Sequence, residues 1–254
     1  MIAPYYKEEG GELFLGDCLE VMKGIEDKSI DMILADLPYQ ITNCHWDTII
    51  PFEPLWEQYK RIIKDNGAIV LTASQPFTSA LVMSNVKMFK YCAYWKKEKP
   101  TNFFQLKRRL GKTIEDILIF YNNQPTFNPQ KTKHEGKLVK NKPKGNHNSI
   151  ITGKNKEVFP YKDDGQRYPI DLIEIRRDIL GKTCHPTQKP VALFEYLIKT
   201  YTNENDLVLD NVAGSGTTGV ACKNLNRNYI LIEKEKEYND IAVNRIKNVP
   251  QALF

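Results

Sequence analysis

Residues 30–39 read Ile30-Asp31-Met32-Ile33-Leu34-Ala35-Asp36-Leu37-Pro38-Tyr39. Ile30 to Ala35 is an apolar run broken only by Asp31, the composition of a strand buried on both faces. It stops at an acid, a proline and a tyrosine. Open α/β sheets bind ligands outside the carboxyl ends of their strands, so a carboxylate at such a tip is well placed for chemistry. Pro38 stiffens the turn, and Tyr39 adds a flat π-face with a polar tip. The corner could accept a hydrogen bond from an amino group and stack on the ring that carries it. The same residues also make an ordinary surface turn, and only the rest of the chain can separate the two.

Working outward, strand and helix patterns alternate. Glu12 to Leu15 reads as a short strand, and Asp17 as the cap of a helix through Leu19, Val21 and Met22. Phe52 to Ile63 has apolar residues at helical spacing and a stop at Asn66-Gly67. Ala68 to Thr72 is a buried strand, and a helix follows from Ser74 to about Ser84. Residues 91–95 and 114–121 read as strands on either side of a basic loop. Leu172 to Ile175 is a further strand. Val191 to Tyr201 is a helix with Pro190 near its first turn. Leu207 to Asp210 is a buried strand, Thr217 to Asn224 a helix, Tyr229 to Glu233 a strand, and Glu235 to Lys247 a helix. This alternation predicts an α/β fold with a mostly parallel sheet and helices on both faces.

A second chemical signal lies at Asp210-Asn211-Val212-Ala213-Gly214-Ser215-Gly216-Thr217-Thr218-Gly219. Gly214, Gly216 and Gly219 satisfy GxGxxG between a strand and a helix, and Glu233 ends the next strand, where it can accept hydrogen bonds from ribose hydroxyls. The pattern predicts an adenosine-containing cofactor. The loop alone does not choose between NAD and S-adenosylmethionine. An NAD-dependent oxidoreductase normally needs further strands after the second acid, and here only about 40 residues follow the loop. The sheet must then be completed by strands from earlier in the chain.

Composition supports a folded enzyme with a polyanionic partner. The 254 residues are 41% hydrophobic and 11% aromatic, as in globular chains. No run of about 18 apolar residues predicts a membrane span, and the first residues do not read as a secretory signal. Five scattered cysteines, without a CxxC pair, point away from a disulfide scaffold or structural zinc and towards a reducing cytosol. The four histidines show no metal-binding spacing, so no metal is expected. The net charge of +5 is unevenly spread: residues 87–182 carry 22 Lys and Arg against 10 Asp and Glu, whereas residues 1–86 carry 6 against 13. Such a basic segment, interleaved with Tyr, Phe, Asn and Gln, is the electrostatic footprint of nucleic-acid binding.

The two sites and their order resemble the β-class amino DNA methyltransferases, which methylate the exocyclic nitrogen of adenine or cytosine. In that class a D/N/S-P-P-Y/F/W motif precedes an F-x-G-x-G motif, with target recognition between them. Asp36-Leu37-Pro38-Tyr39 resembles the first, with Leu37 in place of a proline. Asn211-Val212-Ala213-Gly214-Ser215-Gly216 resembles the second. His185-Pro186-Thr187-Gln188-Lys189-Pro190 is similar to the H-P-T-x-K-P stretch, and Gly16-Asp17-Cys18 to the G-D-C/S start. The likeness covers the whole chain except roughly 122–182.

The resemblance implies a Rossmann-like, S-adenosylmethionine-dependent fold: a seven-stranded sheet in circularly permuted order, with an antiparallel strand near one edge supplied by 91–95 or 114–121. Residues 1–121 would form the catalytic part, 122–182 a basic target-recognition insertion and 183–254 the cofactor part. Asp36, Leu37, Pro38 and Tyr39 would be catalytic. Asp210, Gly214 and Gly216 would line the methionine part of the cofactor, beside Cys18, Asn211, Ala213 and Ser215. Lys189 would meet or lie near its carboxylate with help from Thr187, Glu233 would take the ribose hydroxyls, and Asp17 the adenine amino group. Lys96, Asn102, Phe103, Lys107, Arg108 and Arg109 would bind DNA; Phe103 and Phe104 could support a flipped base or simply pack in the core. The implied activity is transfer of a methyl group to adenine N6 in double-stranded DNA, with cytosine N4 as the alternative. A homodimer and a cognate restriction endonuclease are the further partners expected, in a bacterial or phage-infected cytoplasm.

Overall fold

The strand expected at residues 30–35 forms with those bounds, and its neighbours show why it is apolar but for Asp31. The computed structural model describes residues 2–39, 48–133, 164–177 and 188–250. Its elements are β1 (Tyr6–Glu8), β2 (Gly11–Leu15), α1 (Cys18–Met22), β3 (Ile30–Ala35), α2 (Phe52–Ile62), β4 (Ile63–Ala73), α3 (Phe77–Ser84), β5 (Phe89–Lys96), a 3-10 turn (Phe103–Gln105), β6 (Ile114–Phe120), β7 (Thr132–Lys133), β8 (Gln166–Arg167), β9 (Leu172–Glu174), α4 (Val191–Tyr201), β10 (Leu207–Asp210), α5 (Thr217–Asn224), β11 (Asn228–Glu233) and α6 (Lys236–Lys247).

Side chains alternate across a strand, and two apolar cores follow from that. Met32 and Leu34 of β3, with Val208 of β10, join the core built on α4, α5 and α6. Ile33 and Ala35, with Leu209, join the core built on α1, α2 and α3. A strand covered by helices on both faces has no solvent side to keep polar.

Among the described residues the main sheet has nine strands in the order β1-β2-β11-β10-β3-β4-β6-β5-β9, where seven were expected. The seven from β2 to β5 are extended at the edges by β1 and β9, three residues each; β9 is the strand expected at Leu172 to Ile175, whereas β1 is too short to show a period in sequence. Of the two candidates for the antiparallel strand, β6 is the one: it runs against both β4 and β5. β5 is antiparallel only to β6 and pairs in parallel with β9.

Asn66-Gly67 does not end a helix, as its composition suggested. α2 stops at Ile62 and β4 begins at once, with a register shift against β3 between the pairs Ile30–Ile63 and Met32–Ala68. The extra residues are taken up as an irregularity in the strand. A Cβ on Gly67 would lie 2.9 Å from the Asp31 carbonyl oxygen, so the glycine serves close strand approach.

The chain divides into two compact units, Pro129–Ile170 and the remainder. The basic insertion expected at 122–182 is wider than the second unit, because its two ends belong to the first. Asn128 donates to the Thr202 carbonyl at 3.0 Å, and β9 extends the main sheet. Within the second unit β7 pairs antiparallel with β8, and the Lys131 ammonium lies 4.6 Å from the Tyr168 ring centroid. Among the described residues no helix is long and apolar enough to cross a membrane.

Candidate active site

β3 and β10 are parallel neighbours, Val208 opposite Met32 and Leu209 opposite Ile33, so Asp36 and Asp210 leave the sheet side by side. The helices that follow these two strands pack on opposite faces. Where connections diverge in this way the strand tips leave a crevice. It is a cavity of about 730 Å³ lined by the Asp36–Tyr39 corner and by the loop from Asp210 to Ser215.

In the corner, the Asp36 carboxylate accepts three hydrogen bonds. Tyr39 donates its hydroxyl to Oδ1 at 2.6 Å, and the Thr72 hydroxyl donates to the same oxygen. Lys189 Nζ donates to Oδ2 at 2.6 Å. Behind Lys189 stands Glu115 of β6, 3.4 Å from the same ammonium, and Glu115 is in turn paired with Lys97. Both lysines are buried. Burial works against the charge on Lys189, but Asp36 and Glu115 outweigh it and raise its pKa. Burial would also raise the Glu115 pKa, yet Lys189 and Lys97 hold it below the usual carboxylate range.

Tyr39 packs its ring on Phe77, centroids 5.1 Å apart and planes 28° from parallel. Leu37 is buried in the core under α1, α2 and α3. Its side chain thus anchors the turn by burial, where a second proline would have stiffened it covalently.

On the other wall, Asp17 caps α1 by accepting from the Leu19 N–H at 2.8 Å. Asp210 holds the glycine loop: its carboxylate accepts from the Val212 N–H at 3.1 Å and from the Thr218 hydroxyl. Burial pushes the Asp210 carboxyl up to about 7. Glu233 accepts from the Gly214 N–H at 2.8 Å and the Glu235 N–H at 2.9 Å, and burial raises its pKa as well. Gly216 has φ +75°, and a Cβ there would lie 2.7 Å from that of Ala242. Left-handed backbone and close approach to α6 both require glycine.

A DNA methylase family model matches residues 30–244 of this chain. The chain belongs to the amino DNA methyltransferases. It is 30% identical to the type II methyltransferase M.HinfI of Haemophilus influenzae over 92% of this chain and 67% of that protein. It is 29% identical to M2.LlaDCHI of Lactococcus lactis subsp. cremoris over 97% of this chain and 93% of that one. Among solved structures, the M1.HpyAVI–SAM complex superposes with a TM-score of 0.62 at 29% identity, covering 92% of this chain and 99% of the other. The cytosine-N4-specific PvuII methyltransferase shares the fold, with a TM-score of 0.69 at 16% identity, over 99% of this chain and 90% of that one. An NAD-dependent oxidoreductase is thereby set aside.

The methyltransferase uses S-adenosylmethionine, and its cavity suits that cationic molecule. Asp17, Asp210 and Glu233 all line it. Among the described residues Asn211 Nδ2 is a buried donor whose neighbour is the Cys18 thiol, a weak acceptor, and burial pushes that thiol up to about 11. Ala213 and Ser215 complete the loop, with Ser215 Oγ receiving from Arg245 at 2.8 Å. The structure places Lys189 on Asp36, in the Asp36–Tyr39 corner. Thr187 and His185 lie outside the described residues, as do the other three histidines.

The basic loop after β5 sorts the expected DNA contacts. Asn102 is committed to the loop itself: its side chain accepts from the Lys112 N–H at 2.6 Å and donates to the Leu110 carbonyl at 3.0 Å. Lys96 is paired with Glu174 at 2.7 Å. Lys107, Arg108 and Arg109 are exposed. Phe103 and Phe104 are not core residues, being 69% and 99% exposed. Thr72, Lys97 and Glu115 were missed from sequence. Thr72 could have been found as a polar residue near the carboxyl end of a buried strand. Nothing local marks Lys97 or Glu115, because their meaning comes from the pairing of β5 with β6.

Proposed function

We propose that this methyltransferase acts on the N6 amino group of adenine in double-stranded DNA, with the target base flipped into the cavity. The observation that carries this is the junction of Asp36 and the Asp210 loop in one cavity. Bound S-adenosylmethionine supplies a methyl group on a sulfonium, open to in-line attack. The protein supplies orientation and electrostatics. Asp36 and the Leu37 carbonyl accept the two amine hydrogens and turn the nitrogen lone pair towards the methyl. The Asp36 charge stabilises the positive charge that develops on the amine. Tyr39, backed by Phe77, stacks on the base, which cannot be reached inside the duplex. Lys107, Arg108 and Arg109 meet phosphates.

The assignment of adenine rests on Asp at the first position of the catalytic motif. The type II names of the relatives support a modification role beside a cognate restriction endonuclease in a bacterial or phage-infected cytoplasm, and a homodimer is the assembly we expect. Incubation with duplex DNA and labelled S-adenosylmethionine, followed by base mapping, is expected to give N6-methyladenine in one sequence context. N4-methylcytosine would reverse the base assignment, and full activity of Asp36→Ala would overturn the mechanism.

A further inference from the structure

The Lys189 ammonium is buried and cannot retreat into water. Two carboxylates lie within its reach among the described residues. It donates to Asp36 Oδ2 at 2.6 Å, and Glu115 Oε2 lies 3.4 Å away on its other side. That second oxygen is itself buried and, among the described residues, has no well-formed hydrogen bond. Lys97 engages the other oxygen of Glu115, so the carboxylate is fixed in place with one oxygen turned to Lys189. On Asp36, Oδ1 already accepts from two hydroxyls, which leaves Oδ2 as the acceptor for an incoming amine. A carboxylate oxygen that shares its charge with an ammonium is a weak partner for an uncharged N–H.

We propose that Glu115 is a positioning residue that takes over the Lys189 ammonium when the target amine engages Asp36. The inference rests on the methyl-transfer reading of the site. Before DNA binds, Lys189 holds the Asp36 carboxylate aimed. On arrival of the base, Nζ needs to move by well under 1 Å towards Glu115 to reach ordinary hydrogen-bond distance of about 2.8 Å. Asp36 then shares less of its charge with the ammonium as it faces the amine. No covalent bond is made or broken in this step, and Lys189 keeps its proton.

The test is Glu115→Gln in the full chain, which keeps shape and removes charge. Three quantities are read: single-turnover methylation at saturating DNA and S-adenosylmethionine, and the dissociation constant of each. The expected result is a single-turnover rate at least tenfold below wild type with both dissociation constants within twofold, and recovery of most of the rate in Glu115→Asp. A Glu115→Gln rate within twofold of wild type overturns the proposal. So does a loss matched by weaker binding of either partner, since that is what a purely structural role predicts. If Glu115→Gln does not fold, Glu115→Ala is read in its place: a rate at least tenfold below wild type at unchanged affinities supports the transfer, and a rate within twofold of wild type rejects it. Wild-type protein that methylates no DNA would overturn the functional reading itself, whereas an active wild type with an equally active variant rejects only the role of Glu115.

Discussion

Tyr39 donates its hydroxyl to Asp36 at 2.6 Å, three residues back along the same turn. The Asp36–Tyr39 corner is therefore braced from within, and the aromatic ring and the acid share one geometry. Two substitutions separate their contributions. Tyr39→Phe keeps the ring on Phe77 and loses a hydrogen bond to a charged group, worth about 1.5–3 kcal/mol. Thr72 still donates to the same oxygen, so the expected fall in kcat is about tenfold. Tyr39→Ala also removes a stacking platform worth about 1–3 kcal/mol per base, and kcat/KM is expected to fall at least a further tenfold. Steady-state kinetics on duplex DNA check both.

The Asp210 carboxyl, pushed up to about 7 by burial, makes cofactor binding depend on pH. Below that value the group is largely neutral, and above it anionic. A cationic cofactor beside it favours the anion, so affinity is expected to rise as pH increases through 7, with uptake of cofactor releasing a proton. Calorimetry in two buffers of different ionisation enthalpy measures that proton. For stability without ligand the sign is opposite. A raised acid binds its proton more tightly in the folded chain, so its contribution is full below about 4 and lost as pH rises through about 7. Asp210→Asn is expected to flatten both dependences.

Gly216→Ala meets two penalties, a left-handed backbone at φ +75° and a contact of 2.7 Å with Ala242. The first alone costs about 1–2 kcal/mol. Thermal melting is expected to drop by several degrees, and cofactor affinity to weaken more than DNA affinity. An unchanged melting temperature would count against the close packing of the loop on α6.

Replacing Lys107, Arg108 and Arg109 together by Gln is expected to weaken DNA binding uniformly across sequences. Each lost phosphate contact should reduce the slope of log K against log salt by about 0.9. Cofactor affinity is expected to stay within twofold. Asn102→Ala removes the brace of this loop, and DNA affinity should fall although no charge is lost.

The two motifs were legible because each carries a local physical signature. An acid, a proline and a tyrosine end a strand that is apolar but for Asp31, and glycines sit where a strand turns sharply into a helix. The bounds of β3, α4, β10 and α5 follow from hydrophobic runs and periods that need no partner to be seen. Asn102 and Lys96 were read as DNA contacts from the composition of a basic loop, and their partners within the chain became visible only in the fold. Phe103 and Phe104 could be core or surface, since an aromatic pair in a loop has no period.

Composition and pattern were enough for the fold class, for the two chemical loops and for the uneven charge, since all three are properties of neighbouring residues. The company kept by Asp36 required the folded chain. Thr72 reaches it from the next strand, Tyr39 from its own turn, and Lys189 from 153 residues away, while Glu115 stands behind Lys189 only because β6 runs antiparallel beside β4. Burial, which raises Asp210 and confines the Lys189 ammonium between two carboxylates, belongs to the packed state. It depends on long-range contacts that no window of sequence contains.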